Sequence, residues 1–325
     1  MSEPWAGACS DVAVAGAGPA GAAAAITLAH HGASVVIIDP GSRHPWKPGE
    51  SLASRARPLL ERLGVLDAVA TGPHTPCFGN QSLWGGDTLD EVDFLFSPYG
   101  TGWHLDRTHS CLLARQAGAT LVRADRMVAL AACLPFGAPG RGVPRSSLIE
   151  SAPFGWWYSA PLPAGTCFVM AMTDADLVAG QALHRPDHWW GALQETTLLR
   201  QRVWRARAAP PSGLRIVRTA TSCTSPAAAP GWAAVGDAAT TSDPIAARGI
   251  ITALATGIAA ADALHADAAG DSAALSAYAG LVGASHSEFL RGRLICYGRE
   301  RRWDTPFWRR RRSGASDPAA GLESS

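Results

Sequence analysis

Asp11-Val12-Ala13-Val14-Ala15-Gly16-Ala17-Gly18-Pro19-Ala20-Gly21 joins a short apolar run to a turn with spaced glycines, and Ala22 to His31 continues as an alanine-rich segment closed by Gly32. The apolar run predicts a buried strand, and the alanine-rich segment predicts a helix with glycine at the usual C-terminal position. Ser34 to Ile38 predicts a second strand, stopped by Asp39-Pro40, which completes a β-α-β unit. In such a turn the first glycine, Gly16, allows the sharp bend. The second, Gly18, lets the backbone approach a pyrophosphate, and the third, Gly21, allows helix and strand to pack closely. The start of the helix offers unpaired N–H groups and the positive end of its dipole to phosphate. Asp39 lies 21 residues after Gly18, at the strand end where a carboxylate accepts hydrogen bonds from an adenosine ribose. Together these features predict dinucleotide binding.

A second element of the same kind lies far downstream. Ala234-Val235-Gly236-Asp237-Ala238-Ala239, then Asp243-Pro244 and Gly249-Ile250, is a strand, a turn carrying a carboxylate and a helix start. A nicotinamide dinucleotide domain has no need of a second such turn some 200 residues on, whereas a flavin, with its ribityl chain and ring system, does. Pro48-Gly49-Glu50-Ser51 precedes apolar residues at helical spacing (Leu52, Ala56, Leu59, Leu60, Leu63) closed by Gly64. Taken alone, Ser51 reads more readily as the N-cap of that helix than as part of a binding element, with Pro58 forcing a kink or restart.

Composition bounds the alternatives. The chain has 325 residues, 47% of them hydrophobic and 17% charged, and a net charge of +1. That is enough to bury a core without metal or disulfide staples, and too balanced to gather nucleic acid or an anionic membrane. Seven cysteines stand singly, with no C-x-x-C, which fits a reducing cytoplasm. The N-terminus lacks a signal-peptide pattern, and the longest charge-free helical run, Gly249 to Ala261, has 13 residues, short of the roughly 18 to 20 that cross a bilayer; no membrane partner is expected. His184 and His188 have metal-like spacing beside Asp187, but Pro186 lies between them and argues against a regular helical zinc site. Trp156, Trp157, Trp189 and Trp190 read more readily as core than as pocket lining. No hydrolase or nucleotide-triphosphatase motif occurs.

In ordered combination, several segments resemble the flavoprotein monooxygenase fold of aromatic hydroxylases, in the branch that holds tryptophan halogenases and LodB-like flavoproteins. They are Gly16/Gly18/Gly21, Asp39, Pro48 to Ser51, Gly102-Trp103-His104-Leu105-Asp106-Arg107, Gly155 to Pro161, Gly236-Asp237 with Asp243-Pro244, and Glu300 to Trp303 with Pro306 to Trp308. The matching blocks span about half the chain.

The resemblance implies an α/β protein: a Rossmann-type FAD-binding domain (1–75, 101–125 and 220–270), an inserted β-rich substrate domain (76–100 and 126–219), a C-terminal helical segment (271–312) and a disordered tail (313–325). It implies FAD bound by Gly16, Gly18, Gly21, Asp39, Arg107 at the pyrophosphate, Gly236, Asp237 at the ribityl hydroxyls, Pro244 and Gly249, with Glu50 and Ser51 on the flavin side. Catalytic residues are not assigned and no metal is expected. It further implies reduction by NAD(P)H or by a separate flavin reductase, then oxygen transfer from a flavin C4a-hydroperoxide to an aromatic ring, in a small molecule or in a peptide or protein tryptophan.

Three departures qualify this. The glycine-rich stretch after Asp243-Pro244 reads Ile245-Ala246-Ala247-Arg248-Gly249 and keeps only its last glycine. Halogenases of this type use a lysine near the substrate and a W-x-W-x-I-P signature. Here the single lysine, Lys47, lies in the flavin-side element, and the signature becomes Trp156-Trp157-Tyr158-Ser159-Ala160-Pro161. Arginine does not replace a nucleophilic amine, so halogenation is disfavoured. Between Arg107 and Asp125, roughly 40 residues of the expected pattern, including an Asp-Ala-Thr-Gly turn, are missing, a loss that would open a sheet edge. A compact variant, a weak flavin-binding or non-catalytic remnant, and an error in the gene all remain open at this stage.

Overall fold

The computed structural model describes residues 9–39, 51–72, 74–104, 120–135, 145–162 and 165–313. Glu50, Lys47, Arg107 and most of the shortened stretch lie outside these residues, as does the tail beyond Ser313.

The chain opens with strand β1 (Val12–Ala15), helix α1 (Pro19–His30) and strand β2 (Val35–Ile38). β2 pairs parallel to β1, from Val12 opposite Val35 to Ala15 opposite Ile38, as the β-α-β reading requires. β3 (Ser51–Leu52) is followed by a short 3-10 turn and by α2 (Arg57–Arg62) and α3 (Leu66–Thr71). This corrects the N-cap reading of Ser51: its backbone pairs with a distant strand, and the helix begins only where Pro58 occupies its first turn.

Next come β4 (Thr75–Cys77), β5 (Gly79–Leu83), β6 (Asp90–Asp93), β7 (Gly102–His104), β8 (Thr120–Arg123), β9 (Met127–Pro135), β10 (Ser146–Ala152), β11 (Gly155–Leu162) and β12 (Thr166–Asp174). Helices α4 (Pro186–Gln194) and α5 (Leu198–Arg205) interrupt before β13 (Arg215–Arg218). β14 (Ser222–Ser225), β15 (Ala228–Ala229), β16 (Trp232–Ala233) and β17 (Thr240–Thr241) lead to the long helices α6 (Gly249–Ala268) and α7 (Ala274–Gly298) and to α8 (Pro306–Arg312).

Seven strands form one sheet in the order β13-β9-β12-β11-β10-β5-β6. It is antiparallel except where β10 runs parallel to β5. β12 is buried on both faces. The reason is a double cover. On one face Trp157, Val169 and Leu130 pack under α4 and α5 with Trp189, Leu193 and Leu199. On the other, Trp156, Phe168 and Met172 pack with Trp84, Tyr297, Phe307 and Trp308. Trp156, Trp157 and Trp189 are thus core, as expected, and each indole N–H that bonds does so within the fold: Trp156 donates to Tyr297 Oη at 2.9 Å and Trp189 to the Leu130 carbonyl at 3.0 Å.

α6 is long and apolar enough to cross a membrane by length and composition alone, because its two aspartates fall within tolerance. In this fold it is a core helix. Its Ile250, Leu254 and Ile258 pack with Ala23 of α1, Leu52 and Trp103, and its Ala260 and Ala263 with Tyr278 of α7.

The arginine run 309–312 has a structural task. Arg311 is buried and donates two bonds to Asp174 at the end of β12, at 2.7 and 3.1 Å, while Arg310 bridges Asp174 and Asp176. The Arg311 guanidinium also stacks 3.6 Å from the Phe307 ring centroid. These bonds tie α8 over the aromatic face of the sheet. Removing Arg311 takes away the buried partner of Asp174 and leaves the partly exposed Arg310 as its remaining described ion partner, at a cost of about 2 kcal/mol or more. Arg311→Ala is therefore expected to lower stability by that amount in urea unfolding. Arg309→Ala, whose pair with Asp304 is exposed, should change it by less than about 0.5 kcal/mol.

Candidate functional site

The turn after β1 is built around atoms that leave no room for a side chain. Gly16 has φ +100° and donates its N–H to the Ile38 carbonyl at 2.7 Å. A Cβ on Gly21 would lie 1.9 Å from the Gly16 carbonyl oxygen. Gly18 occupies the N-cap of α1 in extended conformation, Pro19 fills the first turn, and neither a side-chain cap nor an acidic residue occupies that turn. The helix thus begins with donor groups that no side chain satisfies, the arrangement that receives a phosphate.

Asp39 reaches back to this turn: its Oδ2 accepts the Ala17 N–H at 2.7 Å. The second turn meets the same place. Gly236, with φ +57°, would bring a Cβ within 2.7 Å of the Ala20 Cβ, and it donates its N–H to Thr256 Oγ1 of α6 at 2.8 Å. Asp237 follows on an exposed 3-10 turn. Gly257 of α6 would bring a Cβ within 2.3 Å of the Ala20 carbonyl oxygen. The start of α1, the Gly236-Asp237 turn and α6 at Ala253, Thr256 and Gly257 therefore converge, while Gly249, which opens α6, lies about a turn before these contacts. Such a cradle, backbone-lined and with no side chain capping the start of α1, fits the pyrophosphate and ribityl chain of FAD.

Asp243 and Pro244 form the approach to α6. The Asp243 carboxylate caps its own turn, accepting the Ile245 N–H at 3.1 Å, and accepts the Tyr297 hydroxyl of α7 at 2.8 Å. Burial raises this carboxyl to about 6; Arg311 and Arg293 oppose the shift and Asp125 adds to it. Four residues after Asp243, within the altered stretch, Ala247 adopts φ 48°, ψ 32°. An alanine thus stands in the left-handed region that glycine adopts without strain.

Ser51 does not join the cradle. It sits on β3, opposite His104 of β7, on the face of a small sheet (β3-β7-β4) that looks toward β11. Ser51 Oγ is 3.0 Å from His104 Nδ1 and 2.6 Å from Tyr158 Oη. The alternate residues of the same strands, Leu52 and Trp103, pack on α1, α2 and α6. The small sheet is thus the layer between the cradle's helices and the large sheet. His104 has no exposed surface, and its Nε2 has no hydrogen-bond partner. Burial, with the Arg202 charge adding to it, lowers the imidazole to about 4. Arg202 of α5 is itself buried, and its described hydrogen bonds run to neutral acceptors: the Ser146 and Ser159 carbonyls, Ser159 Oγ and Gln81 Oε1. Sequence reading missed His104 and Tyr158 as polar centres, having used them only as letters of the Gly102 to Arg107 match and of the altered tryptophan signature, and missed Arg202 altogether.

The residues 10–58 match the family model described as pyridine nucleotide-disulphide oxidoreductase. Over 359 aligned positions the chain is 25% identical to the FAD-dependent oxidoreductase LodB of Marinomonas mediterranea, covering 93% of this chain and 96% of that protein. An alignment of 359 positions against 325 residues leaves at least 34 positions of the relative with no counterpart here. Among solved structures, the flavin-dependent halogenase CmlS superposes with TM-score 0.81 at 19% identity, over 96% of this chain and 69% of that one. The myxobacterial chondrochloren halogenase CndH gives 0.81 at 18%, over 93% and 85%. The peptidyl tryptophan dihydroxylase QhpG gives 0.72 at 20%, over 94% and 79%. The chain therefore has the mixed α/β fold of FAD-dependent halogenases and hydroxylases, with a Rossmann-type unit and a helical C-terminal segment, and the resemblance read from the motifs holds.

Two outcomes follow from this geometry. Ala247→Gly relieves a left-handed alanine and is expected to raise stability by about 1 kcal/mol in urea unfolding. Asp243 and His104 titrate in opposite senses. A carboxyl raised from 3.8 to about 6 contributes most below the unfolded value and loses that contribution as pH rises through about 6. An imidazole lowered from 6.5 to about 4 contributes above the unfolded value and loses it as pH falls through about 4. Between about 4 and 6 the two offset each other. Asp243→Asn should therefore make stability rise more steeply with pH across that window than in the parent, as read from unfolding midpoints at successive pH values.

Proposed function

We propose that the chain is an FAD-dependent monooxygenase acting on an electron-rich aromatic ring, with a tryptophan side chain of a peptide or protein as the substrate class. The observation that carries this reading is the layered arrangement. A dinucleotide cradle at α1, Gly236-Asp237 and α6 backs onto a small sheet, whose far face presents Ser51 and His104 to Tyr158 of the large sheet. Support comes also from the likeness to LodB, which carries the FAD-dependent oxidoreductase name, and from the fold shared with a peptidyl tryptophan dihydroxylase.

In this reading Gly16, Gly18, Gly21 and the start of α1 hold the pyrophosphate, Asp39 steadies the turn and faces the adenosine ribose, and Asp237 takes the ribityl hydroxyls. Pro244 and Gly249 shape the approach to the ring system, with Glu50 and Arg107 assigned to the flavin side and the pyrophosphate by the resemblance alone. Bound FAD, once reduced by NAD(P)H or a flavin reductase, supplies the oxygen-activating redox chemistry. The chain's own contribution is to exclude water and to orient the ring. A cytoplasmic site of action is part of this reading.

Halogenation is the second reading, favoured by the fold shared with CmlS and CndH. The sequence weighs against it, since the single lysine belongs to the flavin-side element.

The purified protein is expected to be yellow, or to become so with FAD. It should bleach with NADPH or with a flavin reductase and NADH, and then consume oxygen in the presence of a tryptophan-containing peptide with gain of oxygen mass. Protein that stays colourless after incubation with FAD would establish the non-catalytic remnant instead, and chlorinated or brominated product in halide buffer would establish the halogenase. Gly21→Val, which drives a side chain into the Gly16 carbonyl, should abolish FAD binding.

A further inference from the structure

Between Thr196 and Gly236 the chain carries six arginines and no acidic residue, so the near-neutral total hides a local excess of positive charge. Arg202 is buried against the large sheet. Four others stand at the surface: Arg200, Arg205 and Arg207 along α5 and its exit, and Arg218 on β13. Elsewhere exposed arginines meet carboxylates, as Arg62 meets Asp262 and Arg185 meets Asp187. None of these four does so among the described residues. The same surface carries exposed apolar side chains. α5 turns Leu199, Arg202 and Val203 toward the sheet, which leaves Trp204 on its outer side, 77% exposed, with Arg205 next to it and Arg200 one turn before it.

β13 is an end strand of the seven-stranded sheet. Its Ile216 and Arg218 stand opposite Leu130 and Val128 of β9, so their side chains share the face that carries α4 and α5. Ile216 is nevertheless 53% exposed: the helical cover ends before this edge. Ala208 and Leu214, near the two ends of the connection from α5 to β13, both pack on the core under those helices, which ties the end of α5 to the start of the strand. The outer side of β13 is unpaired. Thr219 donates its N–H to the Met127 carbonyl at 3.0 Å, and with Arg215 opposite Ala131 the backbone groups of Arg215, Val217 and Thr219 face β9. Those of Ile216 and Arg218 point the other way, and no described residue bonds to them. Such an edge is satisfied by another strand. Arginine beside it repels a basic segment and attracts an acidic one, and an exposed tryptophan among arginines has the composition of an interface centre. An anionic lipid or a nucleic acid would use the charge but not the strand edge.

We propose that β13 and the outer side of α5 form a docking surface for an extended, acidic segment of a partner protein. The segment adds a further strand beside β13, bonding to the main chain of Ile216 and Arg218. Its carboxylates meet Arg218 and the arginines around the end of α5, and an apolar side chain covers Trp204. The surface belongs to the face of the sheet that carries α4 and α5, whereas Tyr158 and Phe168 belong to the opposite, aromatic face. A docked partner therefore leaves the flavin side open, and the inference stands apart from the flavin reading.

The test uses the purified full chain and short fluorescein-labelled peptides: one in which Glu alternates with Val, one in which Lys alternates with Val, and the Glu-Val peptide with every main-chain nitrogen methylated. The Glu-Val peptide is expected to bind, as read from fluorescence anisotropy, and to weaken as salt rises. The Lys-Val peptide should not bind, nor should the methylated one, which keeps the charge but lacks the donors of a strand. Binding should slow amide hydrogen exchange at Ile216 and Arg218. Trp204→Ala is expected to weaken binding about fivefold or more, the loss that marks an interface centre. Changing Arg205→Glu, Arg207→Glu and Arg218→Glu together should abolish it. These side chains are exposed, so the unfolding midpoints of both variants should match the parent. Failure of the Glu-Val peptide to bind, undiminished binding by the arginine variant, or equal binding of the methylated peptide overturns the proposal. So does tighter binding of phosphatidylserine vesicles, or of a single-stranded oligonucleotide, than of the Glu-Val peptide.

Discussion

The architecture depends on how closely backbone segments approach one another around the start of α1. Gly21 lies against the Gly16 carbonyl, Gly257 against the Ala20 carbonyl, and Gly236 against the Ala20 side chain. Each contact is too short for a Cβ. Hydrogen in place of a side chain at these positions lets α6 lie on α1 and brings the Gly236-Asp237 turn to the start of α1. It is this closeness, more than any side-chain contact, that gathers unsatisfied N–H groups from distant parts of the chain into one cradle.

From that cradle, order passes to the large sheet through two polar seams. One is Ser51 with His104 and Tyr158. The other runs from Asp243, at the approach to α6, through the Tyr297 hydroxyl to the indole of Trp156 on β11. Both cross between layers that are otherwise joined by apolar packing. In each, a buried group is held in the protonation state that its surroundings dictate: His104 neutral by burial and Arg202, Asp243 displaced upward by burial. Hydrogen bonds of this kind are directional and tolerate little sliding, so they set the register of the cradle against the sheet where packing alone would leave it loose.

The parts of the fold that were legible in the sequence are those whose cause is local. Gly16, Gly18, Gly21 and Asp39 announce themselves because strand, turn and helix follow one another within 29 residues, and Gly249 because a long apolar helix begins there. Ser51 was read as a helix cap because its neighbours carry helical spacing. The pairing with His104, 53 residues away, decides otherwise, and no local pattern announces it. The Tyr158 contact spans 107 residues and is equally invisible. Arg309 to Arg312 look like a solvated charge run, yet Arg311 is buried, because Asp174 at the end of β12 supplies a partner that only the tertiary arrangement brings within reach. Ala247 marks another case: the sequence gives no local sign that an alanine adopts the left-handed conformation there.

The aromatic face of the large sheet is assembled from both ends of a long stretch of chain. Trp84, Trp156, Phe168 and Met172 are made early, while Tyr297, Phe307, Trp308 and the Arg311 clasp that cover them are made late. During synthesis on the ribosome the sheet can therefore pair its strands and close its other face under α4 and α5 while this one stays open. For the time needed to translate well over a hundred further residues, a wide, sticky surface waits for its lid. The nascent protein is thus a client for holding chaperones, and a transcript cut short before the codon for Arg311 would yield a chain prone to aggregate even though every residue of the nucleotide cradle is present.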